Sequence, residues 1–309
     1  MGGVPRSGKS CQLEAHGYHV DIAATGATLR ELHYNGRPLI AGFPADQIRP
    51  AMRGAVLVPW PNRTADGRYT FQGEEHQLVI DEPRTRTAVH GLVAWESFRI
   101  LRLKESEAVL ESVLGARPGY PWQLRVRVAF RLEPDGLHQE VVVVNESERP
   151  APVGIGGHPY LLGGVSIDAA VDQWTLTAAA DRVVLSSADR MLPERIVAVE
   201  EEPDLDFRVG RAIDRTVLNH CYTGWHRTDD GRAEVTVRGA DGHGARITWD
   251  RRAEWAQIYS AEEQVDGIHR AALAVEPMTC PPDAFNSGTD LQNVPPGAQV
   301  DAGWVISAL

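Results

Sequence analysis

Gln123-Leu124-Arg125-Val126-Arg127-Val128-Ala129-Phe130-Arg131-Leu132 places Leu124, Val126, Val128, Phe130 and Leu132 on one side of an extended chain and three arginines on the other. That is the period of a half-buried strand. Glu133-Pro134-Asp135-Gly136 turns the chain, and Leu137 to Val144 returns, with Val141 to Val144 reading as buried on both faces. An antiparallel hairpin follows. Upstream, Tyr18 to Ile22, Thr28 to Leu32, Phe98 to Leu103 and Ala108 to Leu114 read as short strands. Downstream, so do Ala233 to Arg238, Ala245 to Trp249, Trp255 to Tyr259, Ala272 to Thr279 and Gln299 to Ile306. No amphipathic helix longer than about two turns fits the 3.6-residue period, and Met191-Leu192-Pro193 with Glu200 to Glu202 reads as a solvated excursion. The chain is read as all-β: a large single-domain antiparallel β-sandwich over residues 11–309, preceded by a flexible segment 1–10.

With 309 residues, 43% hydrophobic and 24% charged, the chain can bury a large core. A net charge of -11 argues against a nucleic-acid or anionic-lipid surface, which needs clustered lysine and arginine. Met1 to Ser10 lacks the apolar core of a secretory signal, and no stretch approaches a run of roughly eighteen apolar residues. Cys11, Cys221 and Cys280 are odd in number and widely spaced, which fits reduced thiols in a cytoplasm. Gly3-Val4-Pro5-Arg6-Ser7-Gly8-Lys9-Ser10 matches the phosphate-loop pattern, but only two residues precede it, so no strand delivers the loop. It is a chance match.

Chemistry concentrates elsewhere. In Gly154-Ile155-Gly156-Gly157-His158-Pro159-Tyr160, the glycines are read as letting backbone approach a ligand, and His158, held between glycine and proline, is read as a catalytic acid. The alternative is a buried histidine satisfied in a tight turn. Glu276 ends an apolar strand beside Pro277, where an unpaired carboxylate is costly unless functional and where burial raises its pKa toward that of a general base. His90 stands next to Gly91, and Asn62-Arg63 follows Pro61 at a strand end. A guanidinium fork beside an amide suits sugar hydroxyls, though both side chains also solvate loops.

Taken together, Pro61-Asn62-Arg63, Gly67-Arg68-Tyr69-Thr70-Phe71, His90-Gly91-Leu92, Gly157-His158-Pro159-Tyr160 and Glu276-Pro277 with Pro282-Asp283-Ala284-Phe285-Asn286 resemble, in order, the signatures of the aldose 1-epimerase (galactose mutarotase-like) family. The resemblance runs from about residue 13 to the C-terminus. It implies a galactose mutarotase-like supersandwich with a sugar in its concave cleft, and an isomerase that interconverts the α and β anomers of a hexose such as glucose or galactose. Catalytic candidates are then His158 as general acid, Glu276 as general base and His90. Substrate-binding candidates are Asn62, Arg63, Asn219 and Gln257. One position departs: where the family commonly has aspartate before histidine, Leu218-Asn219-His220 carries an amide. That puts substrate preference in doubt.

Ring opening takes a proton from the C1 hydroxyl and gives one to the ring oxygen, so an acid and a base on opposite sides of the ring suffice, with no cofactor and no metal. A carboxylate near His158 is expected to raise its pKa above about 6.5. The expected partner is a small monosaccharide, with neither nucleic acid nor membrane, and the protein is expected to be a cytoplasmic monomer or homodimer. Two other readings stay open. One is a mutarotase for a modified or anionic hexose, a sulfo- or phosphosugar, drawing on Arg53, Arg63 and Arg68; the other is a non-catalytic carbohydrate-binding protein. A metal enzyme using His90, His158 and Glu276 is disfavoured because the histidines form no HxH pair on one strand.

Overall fold

The computed structural model describes residues 4–263, 265 and 267–309. The alternation around Val128 forms the hairpin it dictates: Leu124–Glu133 pairs antiparallel with Gly136–Asn145, Leu124 opposite Asn145 and Glu133 opposite Gly136. Leu124, Val126, Val128 and Phe130 are fully buried, whereas Arg127 is exposed and its guanidinium reaches Glu111 on the next strand at 2.8 Å. Gly136 sits at φ 139, a conformation this tight return requires and side chains avoid. Val142 and Val144 are half-buried. The run Val141 to Val144 is therefore buried on one face, not two, because polar side chains on neighbouring strands cover the other only in part.

This hairpin lies within a nine-stranded sheet ordered Arg99–Leu103, Glu107–Leu114, Leu124–Glu133, Gly136–Asn145, Gln299–Ala308, Gly244–Trp249, Ala233–Arg238, Thr175–Ala178 and Arg211–Ala212. A second sheet runs Pro193–Ala198, Ala180–Ser186, Asn219–Trp225, Trp255–Tyr259, Leu273–Met278, Gly156–Gly157 and Val56–Leu57, with Tyr160–Leu161 also pairing on Leu273–Met278. Aromatic side chains bridge the two: Trp225 meets Trp249 edge-on at 4.9 Å. One apolar cluster extends from Cys11 to Ile306. Burying that surface is the main stabilising term. The α-helix at Ala284–Ser287 is a single turn, and among the described residues no helix is long and apolar enough to cross a membrane.

Three further expectations change. Pro193–Ala198, placed in a surface excursion, is a strand paired with Ala180–Ser186. The flexible segment expected over residues 1–10 does not hold for Ser7 to Ser10: Ser7 is buried and its hydroxyl donates to the Ala45 carbonyl at 2.8 Å, and Ser10 opens a strand where a phosphate loop would open a helix. The glycines before His158 do not make room for a ligand. A Cβ on Gly157 would lie 2.2 Å from the Trp304 ring, and one on Gly154 would lie 2.5 Å from Cys280 Sγ. They let strands of this chain pack against one another. Trp304 is itself fixed, donating its indole N–H to Gln139 at 3.1 Å. Gly157→Ala is thus expected to destabilise by roughly 1–3 kcal/mol through overpacking, measured by denaturant unfolding; an unchanged midpoint would show that Trp304 yields.

Candidate active site

Three neighbouring strands carry the polar floor of one cavity. Register aligns Cys221 with Gln257 and Gln257 with Glu276, so the side chains of Gln257 and Glu276 stand side by side on one face. Asn219 lies two residues before Cys221 and therefore on that same face; its Oδ1 accepts from Gln257 Nε2 at 2.7 Å. From the other side comes His158, whose backbone is pinned by two bonds: the Gly54 N–H donates to its carbonyl at 2.9 Å, and its own N–H donates to Ala55 at 3.0 Å. His158 Nε2 ends 3.4 Å from Glu276 Oε1. The two groups were expected on opposite sides of a sugar ring; they are neighbours instead.

His90 completes the floor from a left-handed turn, φ 62, and meets the His158 ring edge-on at 5.0 Å. Its backbone N–H donates to the Asn62 carbonyl at 2.9 Å, and the Asn62 N–H donates to His90 Nδ1 at 3.3 Å. Asn62 in turn accepts the Arg63 N–H on its side chain at 2.9 Å. Arg63 is held by a carboxylate that sequence reasoning passed over. Glu82 accepts Arg63 Nε at 2.7 Å and Nη2 at 2.9 Å, while Thr85 and Thr87 hydroxyls donate to the same carboxylate at 2.6 and 3.0 Å. The only local signal for it was an acid followed by Thr85 and Thr87 in a loop.

Asn62, Arg63, His90, His158, Asn219, Gln257 and Glu276 all line one cavity of about 660 Å³. Its rim adds Met191, from the supposed excursion, and Arg84. Gln257 Oε1, Glu276 Oε2 and His158 Nδ1 are buried there without a hydrogen-bond partner among the described residues. Unpaired buried polar atoms are costly, and the three residues that carry these line the same cavity.

Burial governs the proton affinities. It pushes Glu276 up from the usual carboxylate range to about 8, against the pull of Arg63. It pushes His158 down to about 3, partly offset by the residue's own backbone and reinforced by Arg49, and drives His90 well below its ordinary value, helped by His158 and Arg63. The expectation that Glu276 would raise His158 is reversed, because desolvation of the imidazolium outweighs a carboxylate that is itself driven neutral. Burial alone would raise Glu82, but the Arg63 guanidinium and the two hydroxyls outweigh it and hold that carboxylate below its usual range.

Ligand atoms of His90, His158 and Glu276 lie within 4.8 Å of one another, close enough to raise the question of a metal. The amide N–H of Asn62 on His90 Nδ1 fixes the tautomer with its proton on Nε2. His90 thus offers the cavity a donor, which suits a hydroxyl oxygen and not a cation.

The profile described as Aldose 1-epimerase matches residues 9–307. The chain belongs to the aldose 1-epimerase family. Within Escherichia coli K12, the relative called Uncharacterized protein YihR is 34% identical over 286 residues, 92% of this chain and 88% of that protein. The galactose mutarotase of Rattus norvegicus is 28% identical over 67% of this chain and 64% of its own length. The aldose 1-epimerase fold recurs in the solved GalM/aldose epimerase homologue from C. elegans, with a TM-score of 0.83 at 18% identity, covering 97% of this chain and 99% of that one. A galactose mutarotase-like protein from Clostridium acetobutylicum superposes with a TM-score of 0.81 at 15% identity, over 96% and 94%.

Proposed function

We propose that this chain is an aldose 1-epimerase that interconverts the α and β anomers of a hexopyranose, with Glu276 and His158 exchanging protons with the sugar. The observation that carries the reading is the 3.4 Å approach of His158 Nε2 to Glu276 Oε1 on the floor of a polar cavity. The hydroxyl oxygen and the ring oxygen of a hemiacetal hang on the same carbon, so a base for one and an acid for the other belong side by side.

Glu276 as carboxylate takes the C1 hydroxyl proton while His158 as imidazolium gives a proton to the ring oxygen. The bond from C1 to the ring oxygen breaks, and its electron pair stays on that oxygen as the C1 aldehyde forms. Rotation about the C1–C2 bond and reclosure, with neutral His158 now accepting and the Glu276 acid now donating, gives the other anomer. The pair holds one exchangeable proton before and after. Its ionic and neutral forms carry the same net charge and differ by one proton moved between Glu276 and His158; burial favours the neutral form at rest, so ring opening starts from the minor ionic form, reached when the Glu276 proton passes to His158 Nε2. Nothing is oxidised or reduced, and the sequence of bonds balances without a cofactor or metal. His90 Nε2–H and Arg63 orient the hydroxyls, Arg63 with its geometry set by Glu82. Asn219 and Gln257 share one internal hydrogen bond, which leaves the Asn219 amide to donate and Gln257 Oε1 to accept. A carboxylate at position 219 would present two charged acceptors instead, and charge-assisted bonds are roughly twice as strong as neutral ones. A neutral amide therefore fits a substrate that places an acceptor at this point.

A second reading, an anionic hexose, rests on Arg84. The three arginines considered from the sequence do not serve it: Arg63 is neutralised by Glu82, Arg53 is buried beside the Tyr160 ring, and Arg68 donates to Gln77 outside the cavity. Arg84 is exposed on the cavity rim and has no ion pair among the described residues. Polarimetry of fresh α-D-glucose and α-D-galactose, with saturation-transfer NMR across an aldose panel that includes 6-phosphorylated and 6-sulfonated sugars, tests both. Accelerated anomer exchange is expected for at least one aldose. A spontaneous rate for every sugar would leave a binding protein; a preference of tenfold or more for the anionic members, lost in Arg84→Ala, would select the second reading.

A further inference from the structure

A catalytic imidazole is usually oriented by a hydrogen bond to its second nitrogen. His158 has none from another residue: Nδ1 is buried, and only the residue's own backbone interacts with the ring there. What holds the ring is Tyr160, stacked on it with centroids 5.1 Å apart and planes 12° from parallel. Tyr160 is itself held. Its hydroxyl donates to the Ala51 carbonyl at 3.0 Å, and the Arg53 guanidinium lies 5.7 Å from its ring centroid. The turn that supplies both contacts is strained, with Ala51 at φ 45 and Met52 at φ 57, consecutive left-handed residues that carry side chains. Such conformations persist only where the surroundings over-determine them, and they cluster at functional sites. Arg53 is buried with Nε and Nη2 unpaired among the described residues, a cost that packing alone does not demand.

We propose that Tyr160, clamped by the Ala51–Arg53 turn, is a positioning residue that fixes the His158 imidazole for proton transfer to the ring oxygen. The flat face does what a second-nitrogen hydrogen bond does elsewhere, and it leaves the net charge of the proton-exchanging pair untouched. This rests on His158 being the acid. The two ideas fail separately: an active His158→Asn variant would remove the acid, whereas the outcomes below bear on Tyr160 with the acid in place.

The test compares Tyr160→Leu with Tyr160→Phe, using anomer exchange of the best aldose for kcat and titration with its 1-deoxy analogue, which cannot open, for binding. Tyr160→Leu is expected to lower kcat ten- to hundredfold, the scale of a small misplacement of a reacting group, while 1-deoxy sugar binding stays within threefold. Tyr160→Phe, which keeps the ring face, is expected to return kcat to within threefold of the parent. Should the leucine variant fail to fold, Tyr160→Met fills similar space without a flat face and carries the same expectation. Either of two results overturns the proposal: kcat within threefold in the variant lacking the ring, or 1-deoxy sugar binding weakened in step with kcat/KM, which would make Tyr160 a substrate contact.

Discussion

Glu276→Gln and His158→Asn are each expected to lower kcat for anomer exchange by about 10²- to 10⁴-fold, the contribution of a positioned acid or base, with circular dichroism unchanged. Glu276→Gln keeps the size and polarity of the side chain and removes its ability to exchange a proton; His158→Asn keeps a polar amide near the Nδ1 position but is smaller and removes the ring. Both side chains are almost fully buried, His158 at 4% and Glu276 at 2% exposure, so unchanged circular dichroism is what separates lost chemistry from a lost fold. Activity retained within tenfold in either variant would reject that residue's role.

The second large effect is on stability. In an unfolded chain a glutamate titrates near 4.5, whereas burial pushes Glu276 up to about 8. Between those pH values the unfolded state releases a proton that the native state keeps, so the native fold loses stability as pH rises, by about 1.4 kcal/mol per unit. Glu276→Gln removes that loss. The variant is expected to be more stable than the parent at pH 8, by on the order of a few kcal/mol, and to converge with it below pH 4.5, as measured by urea unfolding across pH. Equal stability at pH 8 would mean that the carboxylate is ionised and solvated in the native state. His158 acts in the opposite window. Its native value of about 3 lies below the ordinary 6.5, so its contribution is intact above 6.5 and is lost as pH falls toward 3. A site tuned for proton exchange thus costs the fold stability from both sides.

The strands were legible because their period is strong: the alternation from Leu124 to Leu132 has one solution, and Leu273–Met278 is apolar enough to be central. His158, Glu276, His90, Asn62, Arg63, Asn219 and Gln257 were each visible through an unusual neighbour or through the family resemblance, and they converge on one cavity. Glu82 was not visible. It reaches Arg63 only because the strand Arg63–Ala65 pairs with Thr87–Val89 and draws the intervening loop back across it. The purpose of Gly154, Gly156 and Gly157 was misread for a related reason: local sequence shows that space is needed but not whose atoms fill it, and Trp304 lies on the facing sheet. The direction of the His158 shift was misjudged because pairing is local whereas desolvation depends on the whole fold.

If His158 and Glu276 form one proton-exchanging unit, the combined variant Glu276→Gln/His158→Asn should be no more than about threefold slower than the slower single variant, since losing either partner already disables the unit. Saturation-transfer NMR of anomer exchange on the four proteins, at one sugar concentration and pH, measures this directly. Losses that multiply would contradict the account, showing two groups that act independently.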